Sequence, residues 1–342
     1  MSAHGDRVGR GCERLAWLAL VALAPSACSE APSMMRPASR PAHTLSVLGW
    51  WLLAIAILVV VIIGVLELIP IIRHRGSTLA DTALVNTAPS TRWIVIGVVL
   101  TGLTLLGTFA YSMVVMGETV SPDERPALTI EITGHRWWWE ARYPRTKSSM
   151  SFTTANELHI PVGVPVRLEV ASADVIHSFW VPRLHGKIDL IPGVRNQFWI
   201  RADSAGRYRG QCAEYCGLQH SNMALYVTAE SAEQFRNWLA LQSRPAAAPQ
   251  GSEAARGLQR FMQTCALCHT VRGTEAKGVM GPDLTHVASR ETIAGAALTN
   301  NRGNLSGWVV NAPSLKPGTL MPRIDLEPDE LHAVVSYLET LR

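Results

Sequence analysis

The sequence predicts a multi-domain membrane protein: a two-helix transmembrane hairpin, then a β-sandwich or barrel, then a C-terminal all-α domain. Three observations predict it. Two apolar stretches, 45–72 and 93–116, are each long enough as helices to cross a ~30 Å hydrocarbon core. Residues 120–241 run in short alternating segments broken by proline and glycine. Residues 253–342 open and close on helical patterns. Composition agrees, since 342 residues exceed one ordinary domain, while 17% charge and a mean hydropathy of +0.13 argue against a wholly water-soluble chain. The net charge of +4 is small, and no lysine and arginine cluster interleaves with aromatics, which leaves no basis for a nucleic-acid partner.

At the N-terminus, Arg7, Arg10 and Arg14 precede the apolar run Leu15 to Leu23 and then Pro25-Ser26-Ala27 before Cys28. Residues 1–28 therefore read as a signal peptide. Cys28 follows small residues, as a lipidated cysteine would, although Pro25 stands where such signals usually carry leucine. The first apolar stretch contains one charge, Glu67, and the second contains none. Arg73 to Arg92 joins them with three arginines against one acid, which places the turn in the cytoplasm. An exported N-terminus followed by two spans puts everything after Met116 outside. The expected location is the inner membrane of a bacterial cell, multi-pass, with both later domains on the periplasmic side.

The alternation of residues 120–241 is clearest in Leu128-Thr129-Ile130-Glu131-Ile132 and Val166-Arg167-Leu168-Glu169-Val170. One helix, from about Ser231 to Leu241, closes that domain with Phe235, Trp238 and Leu239 on one face. Residues 243–252, with a Pro-Ala-Ala-Ala-Pro core, read as a flexible linker. Beyond it, Glu253 to Thr264 and Pro328 to Leu341 read as helices around a loop-rich middle.

Two segments carry chemistry. Between Cys212 and Met223 the chain places two thiols, the imidazole of His220 and a thioether. Soft sulfur with imidazole suits copper or zinc, and a weak methionine ligand favours copper, whose redox potential it tunes. A mononuclear blue-copper site needs one cysteine, so Cys212 and Cys216 together suggest thiolates bridging two copper ions. A second imidazole must come from elsewhere, and His177, at the end of a predicted strand, is the best candidate. A Cys212–Cys216 disulfide would explain neither His220 nor Met223, and a tetrahedral zinc site would need no methionine. His135, His159 and His185 are expected to serve surface or core hydrogen bonding instead.

This loop, with His177 placed 35 residues before Cys212, resembles the binuclear copper centre (CuA) of cytochrome c oxidase subunit II. The likeness covers residues 45–241, including Trp137-Trp138-Trp139 and Ile191-Pro192-Gly193. The resemblance implies a cupredoxin-like β-domain in which Cys212 and Cys216 bridge the coppers and His177 and His220 cap one each. It also implies that Met223 binds one copper and the backbone carbonyl of Glu214 the other. The Glu214 carboxylate would serve a magnesium or manganese ion shared with subunit I, and Trp137 would be the residue through which electrons reach the copper from a cytochrome. The family often has a carboxylate just before the second span, where this chain has Pro89-Ser90-Thr91-Arg92.

The second segment, Cys265-Ala266-Leu267-Cys268-His269, is the signature of covalent haem c attachment: two thioethers fix the porphyrin and the imidazole ligates iron. Met321, in Gly318-Thr319-Leu320-Met321-Pro322, is the expected sixth ligand, ahead of His286 and His332, because its prolines and glycine hold the chain rigid. Met280 is expected at the haem edge and Met262 in the preceding helix. Gly281-Pro282 resembles the cytochrome c segment whose proline carbonyl accepts the axial histidine's N–H, and Trp308 is expected to pack on a haem propionate or in the core.

Together these features resemble subunit II of a haem–copper oxidase with a fused cytochrome c domain. The resemblance implies oxidase subunits I and III as partners, a lipid bilayer, and a donor such as cytochrome c or quinol–cytochrome c reductase. Electrons would pass from the donor to the haem, then to the copper pair, then to subunit I, where oxygen is reduced. The alternatives are a CuA-containing nitric-oxide reductase subunit and a free-standing membrane-anchored electron carrier. Nitrous oxide reductase would need a second, histidine-rich copper cluster, and eleven scattered histidines do not supply one.

Overall fold

The computed structural model describes residues 32–73, 88–122, 124–145 and 150–342. The expected signal peptide, Cys28 and residues 74–87 of the turn lie outside the described residues. Two helices, α1 (Arg40–Arg73) and α2 (Ala88–Val120), are long and apolar enough to cross a membrane. At 1.5 Å per residue, the 34 residues of α1 would reach about 51 Å, beyond the hydrocarbon core itself. Among the described residues nothing covers their apolar stretches.

The outer ends of both helices are fastened to the domain that follows. Ala38 N–H donates to the Arg183 carbonyl and Asp203 N–H to the Ala38 carbonyl, each at 2.8 Å. The Thr119 carbonyl, at the end of α2, accepts from Trp199 Nε1 at 3.0 Å and from His185 Nε2 at 3.2 Å. An unpaired carbonyl at a helix end is costly to bury, and these two rings satisfy it.

The alternating segments form two five-stranded sheets. One contains β1 (Leu128–His135), β2 (Trp138–Tyr143), β3 (Phe152–Ala155), β5 (Val166–Ser172) and β8 (Asn196–Ile200) in the order β3-β2-β1-β5-β8. The other contains β4 (Glu157–Pro161), β6 (His177–Trp180), β7 (Ile188–Leu190), β9 (Gly206–Cys212) and β10 (Ala224–Glu230) in the order β4-β10-β9-β6-β7. Register follows the pleat. β1 runs parallel to β5 with Ile130 opposite Leu168 and Ile132 opposite Val170, and all four are buried between the sheets. Trp139, Leu158, Phe179 and Val227 complete that core, and α3 (Ala232–Gln242) closes it with a capping box between Ser231 and Gln234. Trp238 packs edge-on against Tyr143 and stacks on His159, whose Nδ1 lies 2.9 Å from Glu230 Oε1.

The C-terminal unit is built from α4 (Ser252–Thr264), a small pair of strands β11 (Thr292–Ile293) and β12 (Leu298–Thr299), α5 (Arg302–Leu315) and α6 (Pro328–Thr340). Helices α4 and α6 cross at Gly257, where a Cβ would sit 1.9 Å from the Ala333 carbonyl oxygen, so only glycine permits the approach. Phe261 and Tyr337 meet edge to face just beyond, with centroids 5.4 Å apart.

Two expectations need correction. The middle of this unit is not only loop: residues 302–315 are helical, bent at Asn311 and containing Pro313. Gly303, Gly307 and Pro313 hide the helix from pattern reading. The linker is not a free tether either. Ala246 N–H donates to the Arg272 carbonyl at 2.8 Å, and His286 Nε2 donates to the Arg244 carbonyl at 3.0 Å. Arg272 Nη2 also donates to the Gln242 carbonyl at 2.6 Å. Groups remote in sequence supply these partners, so composition alone misjudges the stiffness.

Candidate functional site

The loop from Cys212 to Met223 leaves β9 and returns into β10, and Phe179 of β6 pairs with Cys212 across the sheet. This pairing brings His177, the first residue of β6, beside the loop. Cys212 Sγ lies 3.7 Å from Cys216 Sγ and 4.0 Å from His177 Nδ1. Cys216 Sγ lies 3.7 Å from His220 Nδ1 and 3.9 Å from Met223 Sδ. The carbonyl oxygen of Glu214 is 3.2 Å from Cys212 Sγ. Each donor expected from the sequence therefore lies within 4.0 Å of one of the two sulfurs. The thiols are free, and their separation is far beyond the ~2 Å of a disulfide bond.

Burial and hydrogen bonding prepare these donors for a soft metal. His177 and Met223 are fully buried and both cysteines are 4% exposed. Of the two thiols, Cys212 is held well below the usual range by its hydrogen bond with Cys216, and then by His177, while the same pairing and burial push Cys216 up. Of the pair, Cys212 is therefore the thiol that more readily gives the thiolate, the form that ligates a metal. Two sulfurs, two imidazoles, a thioether and a carbonyl exceed the four donors of a structural zinc site and suit a pair of copper ions.

Sequence reading missed Asp174. Its Oδ1 accepts from His177 Nε2 at 2.8 Å, which orients the ring so that Nδ1 faces the sulfurs. Its Oδ2 accepts from the Arg136 backbone N–H at 2.7 Å, which ties the turn before Trp137 to the same carboxylate. An acid three residues before a ligating histidine was the available signal. Burial would lower the His177 pKa, but the hydrogen bonds with Cys212 and Asp174 outweigh it and raise it. The Glu214 carboxylate lies 3.9 Å from Lys187 Nζ and is 45% exposed.

The three tryptophans divide. Trp139 is in the core, edge-on to His177 and Phe179. Trp138 stacks on His135, with centroids 4.3 Å apart. Trp137 is 7% exposed, and its Nε1 donates to the Cys216 carbonyl at 3.0 Å. Two glycines bracket its ring: a Cβ on Gly217 would lie 3.2 Å from Cζ2, and one on Gly318, at φ +85°, would lie 3.1 Å from Cη2. Gly217 belongs to the sulfur loop and Gly318 to the C-terminal unit.

Trp137 also lines a cavity of about 410 Å³ that it shares with Cys265, Cys268, His269 and Met321. Phe261, Leu284, Leu305 and Leu338 give the cavity an apolar wall, as a porphyrin face requires. His269 Nδ1 donates to the Pro282 carbonyl at 2.8 Å, leaving Nε2 as the ligating atom. Burial lowers the His269 pKa, which favours the neutral imidazole that can bind iron. Arg290 lines the cavity and its buried Nε has no hydrogen-bond partner, a position suited to a haem carboxylate. The residues thus fit a covalent haem. Trp308 both lines the cavity and packs on the helical core. Met280 is on the rim, 71% exposed, and Met262 packs in the core. His286 donates to the Arg244 carbonyl and His332 is 70% exposed, and neither lines the cavity as Met321 does. His185 and His159 make hydrogen bonds, as expected, but His135 also lines the cavity from the β-domain side.

Comparison with known proteins gives the following. Residues 145–230 match the family described as cytochrome c oxidase subunit II, periplasmic domain, and residues 254–342 match the family described as cytochrome c. The cytochrome c oxidase subunit 2 of Alkalihalophilus pseudofirmus is 36% identical over 266 residues, covering 75% of this chain and 74% of that one. That of Bacillus subtilis is 27% identical over 294 residues, covering 80% and 81%. A solved periplasmic domain of subunit II of cytochrome oxidase from Bradyrhizobium japonicum is 32% identical, with a TM-score of 0.33, covering 35% of this chain and 95% of that one.

Proposed function

Because the chain belongs to the cytochrome c oxidase subunit II family and carries a cytochrome c domain, we propose that it passes electrons from an external donor, by way of a covalent haem c, to a two-copper CuA centre and then to subunit I. The protein is a membrane-anchored part of an oxidase, with copper and haem as the cofactors its two domains imply. We assign two coppers to His177, Cys212, Glu214, Cys216, His220 and Met223, and one haem to Cys265, Cys268, His269 and Met321. The single observation that carries the reading is the place of Trp137, which hydrogen-bonds to the sulfur loop and lines the cavity that holds Cys265, Cys268, His269 and Met321.

When bound, the two groups would supply one-electron redox chemistry. The chain's own residues do the rest. Asp174 and the Pro282 carbonyl fix the two imidazoles in the ligating orientation. The core tryptophan Trp139 and the apolar cavity wall keep water away, so the surroundings need to reorganise little as charge passes. Helices α1 and α2 cross the bilayer as a hairpin and hold both domains on the periplasmic face beside subunits I and III. The donor is a soluble cytochrome c or a quinol–cytochrome c reductase. Glu214 supplies its carboxylate to a magnesium or manganese ion at the subunit I interface.

The test is a Cys265→Ala/Cys268→Ala chain assembled in membranes with subunit I. Its copper content should remain while oxidation of a soluble cytochrome donor falls to background. Donor oxidation at the normal rate would overturn the proposed path.

A further inference from the structure

Lys316 is a charged side chain only 3% exposed, and it lies where the C-terminal unit meets the β-domain. Its Nζ donates to three backbone carbonyls: Trp137 at 2.7 Å, Ala294 at 2.8 Å and Asn222 at 2.9 Å. Two of those carbonyls belong to the β-domain. One is on the tryptophan shared by both sites, and the other precedes Met223. An ammonium has three protons and these three acceptors use all of them. The next residue extends the grip, since the Pro317 carbonyl accepts from Gln219 Nε2 at 3.0 Å.

A second buried charge, of opposite sign and from the opposite side, completes the contact. Glu157 of β4 is 8% exposed, and its Oε1 accepts from the backbone N–H groups of Glu291 and Thr292 and from the Thr292 hydroxyl. Ala224 N–H donates to the Gly295 carbonyl at 3.0 Å between the two points. Burying a charge costs stability unless it is fully hydrogen-bonded, and each of these is bonded across the boundary. Separating the units would strip both. Burial lowers the Lys316 pKa to about 8, and its three carbonyl acceptors each take one proton of the ammonium form.

We propose that Lys316 is a positioning residue for electron transfer from haem to copper, pinning the haem unit to the copper domain so that Trp137 stays in contact with both. The inference rests on the relay proposed above. The step carries one electron: the haem is oxidised, the copper pair is reduced, and no bond or proton changes place. The haem unit is therefore a fixed donor, and transfer within the chain needs no diffusional search.

The test uses the full chain in its oxidase complex. Transfer is followed optically after rapid haem reduction, at two solvent viscosities. The unsubstituted protein should transfer at a rate independent of viscosity. Lys316→Met should keep its copper, its covalent haem and both reduction potentials. Its transfer should slow roughly tenfold or more, as the docked fraction falls, and become viscosity-dependent. Hydrogen exchange supplies a readout without turnover: the segment around Ala224 should exchange faster in Lys316→Met. Should that variant lose either cofactor, Glu157→Ala releases the same contact from the other side and carries the same expectation. Transfer at the unsubstituted rate in a cofactor-replete variant would overturn the proposal. Absence of copper or haem from the unsubstituted chain would instead overturn the relay itself.

Discussion

The indole Nε1 of Trp137 donates to the carbonyl of Cys216 at 3.0 Å, while the far edge of the same ring rests on Gly318, three residues before Met321. One side chain thus joins the sulfur loop to the loop that carries the expected axial methionine. Trp137→Phe keeps an aromatic ring but leaves the buried Cys216 carbonyl unpaired. We expect a stability loss of about 1–3 kcal/mol, full copper occupancy and slower haem-to-copper transfer. Thermal unfolding and rapid-mixing optics check the two parts separately. An unchanged transfer rate would remove Trp137 from the path.

Asp174 orients His177 without touching the sulfurs. Asp174→Asn removes the acceptor charge while keeping the shape. Copper affinity should fall about 10–100-fold, as for other partners that orient a ligating histidine, and haem content should not change. Competition against a copper chelator measures it, and undiminished affinity would assign the carboxylate to the Arg136 turn alone.

Met321 lines the haem cavity on the loop that Lys316 anchors. Met321→Ala should lower the haem reduction potential, because a thioether ligand raises it, while Cys265 and Cys268 retain the haem covalently. A redox titration of the haem band decides it. An unchanged potential would move the sixth ligand elsewhere.

How much of this was legible in the sequence depends on the range of the interactions. The strands of the β-domain and the helix after Ser231 follow from alternation and capping within a few residues, and both were readable. The ligand sets were readable too, because thiols, imidazoles and thioethers cluster in short segments, with only His177 and Met321 distant. Lys316 and Trp137 are 179 residues apart and Glu157 and Thr292 are 135 apart, and no local pattern marks a lone lysine or glutamate as a buried anchor. The same blindness made 243–252 look flexible: proline and alanine report local freedom, whereas Arg272 and His286 arrive from the next domain to take it away.

The junction between membrane and domain should respond to acid. Burial holds His185 below the ordinary histidine value of 6.5, so the unfolded chain binds a proton more readily than the folded one. Its contribution is therefore complete above about pH 6.5 and is lost as pH falls below it. Between about pH 7.5 and pH 5, the detergent-solubilised chain should lose more stability than His185→Gln does, by chemical denaturation at each pH. Equal losses would show that the His185 bond to the Thr119 carbonyl makes no pH-dependent contribution.

The most direct test of the account is the metal and haem content of the purified oxidase complex, expressed per copy of this chain and corrected for the metals of subunit I with a Cys212→Ser/Cys216→Ser control. The account predicts a difference of two coppers between chain and control, with the covalent haem c unchanged in both. A difference of one copper, zinc in place of copper, or a Cys212–Cys216 disulfide in the isolated protein would contradict it.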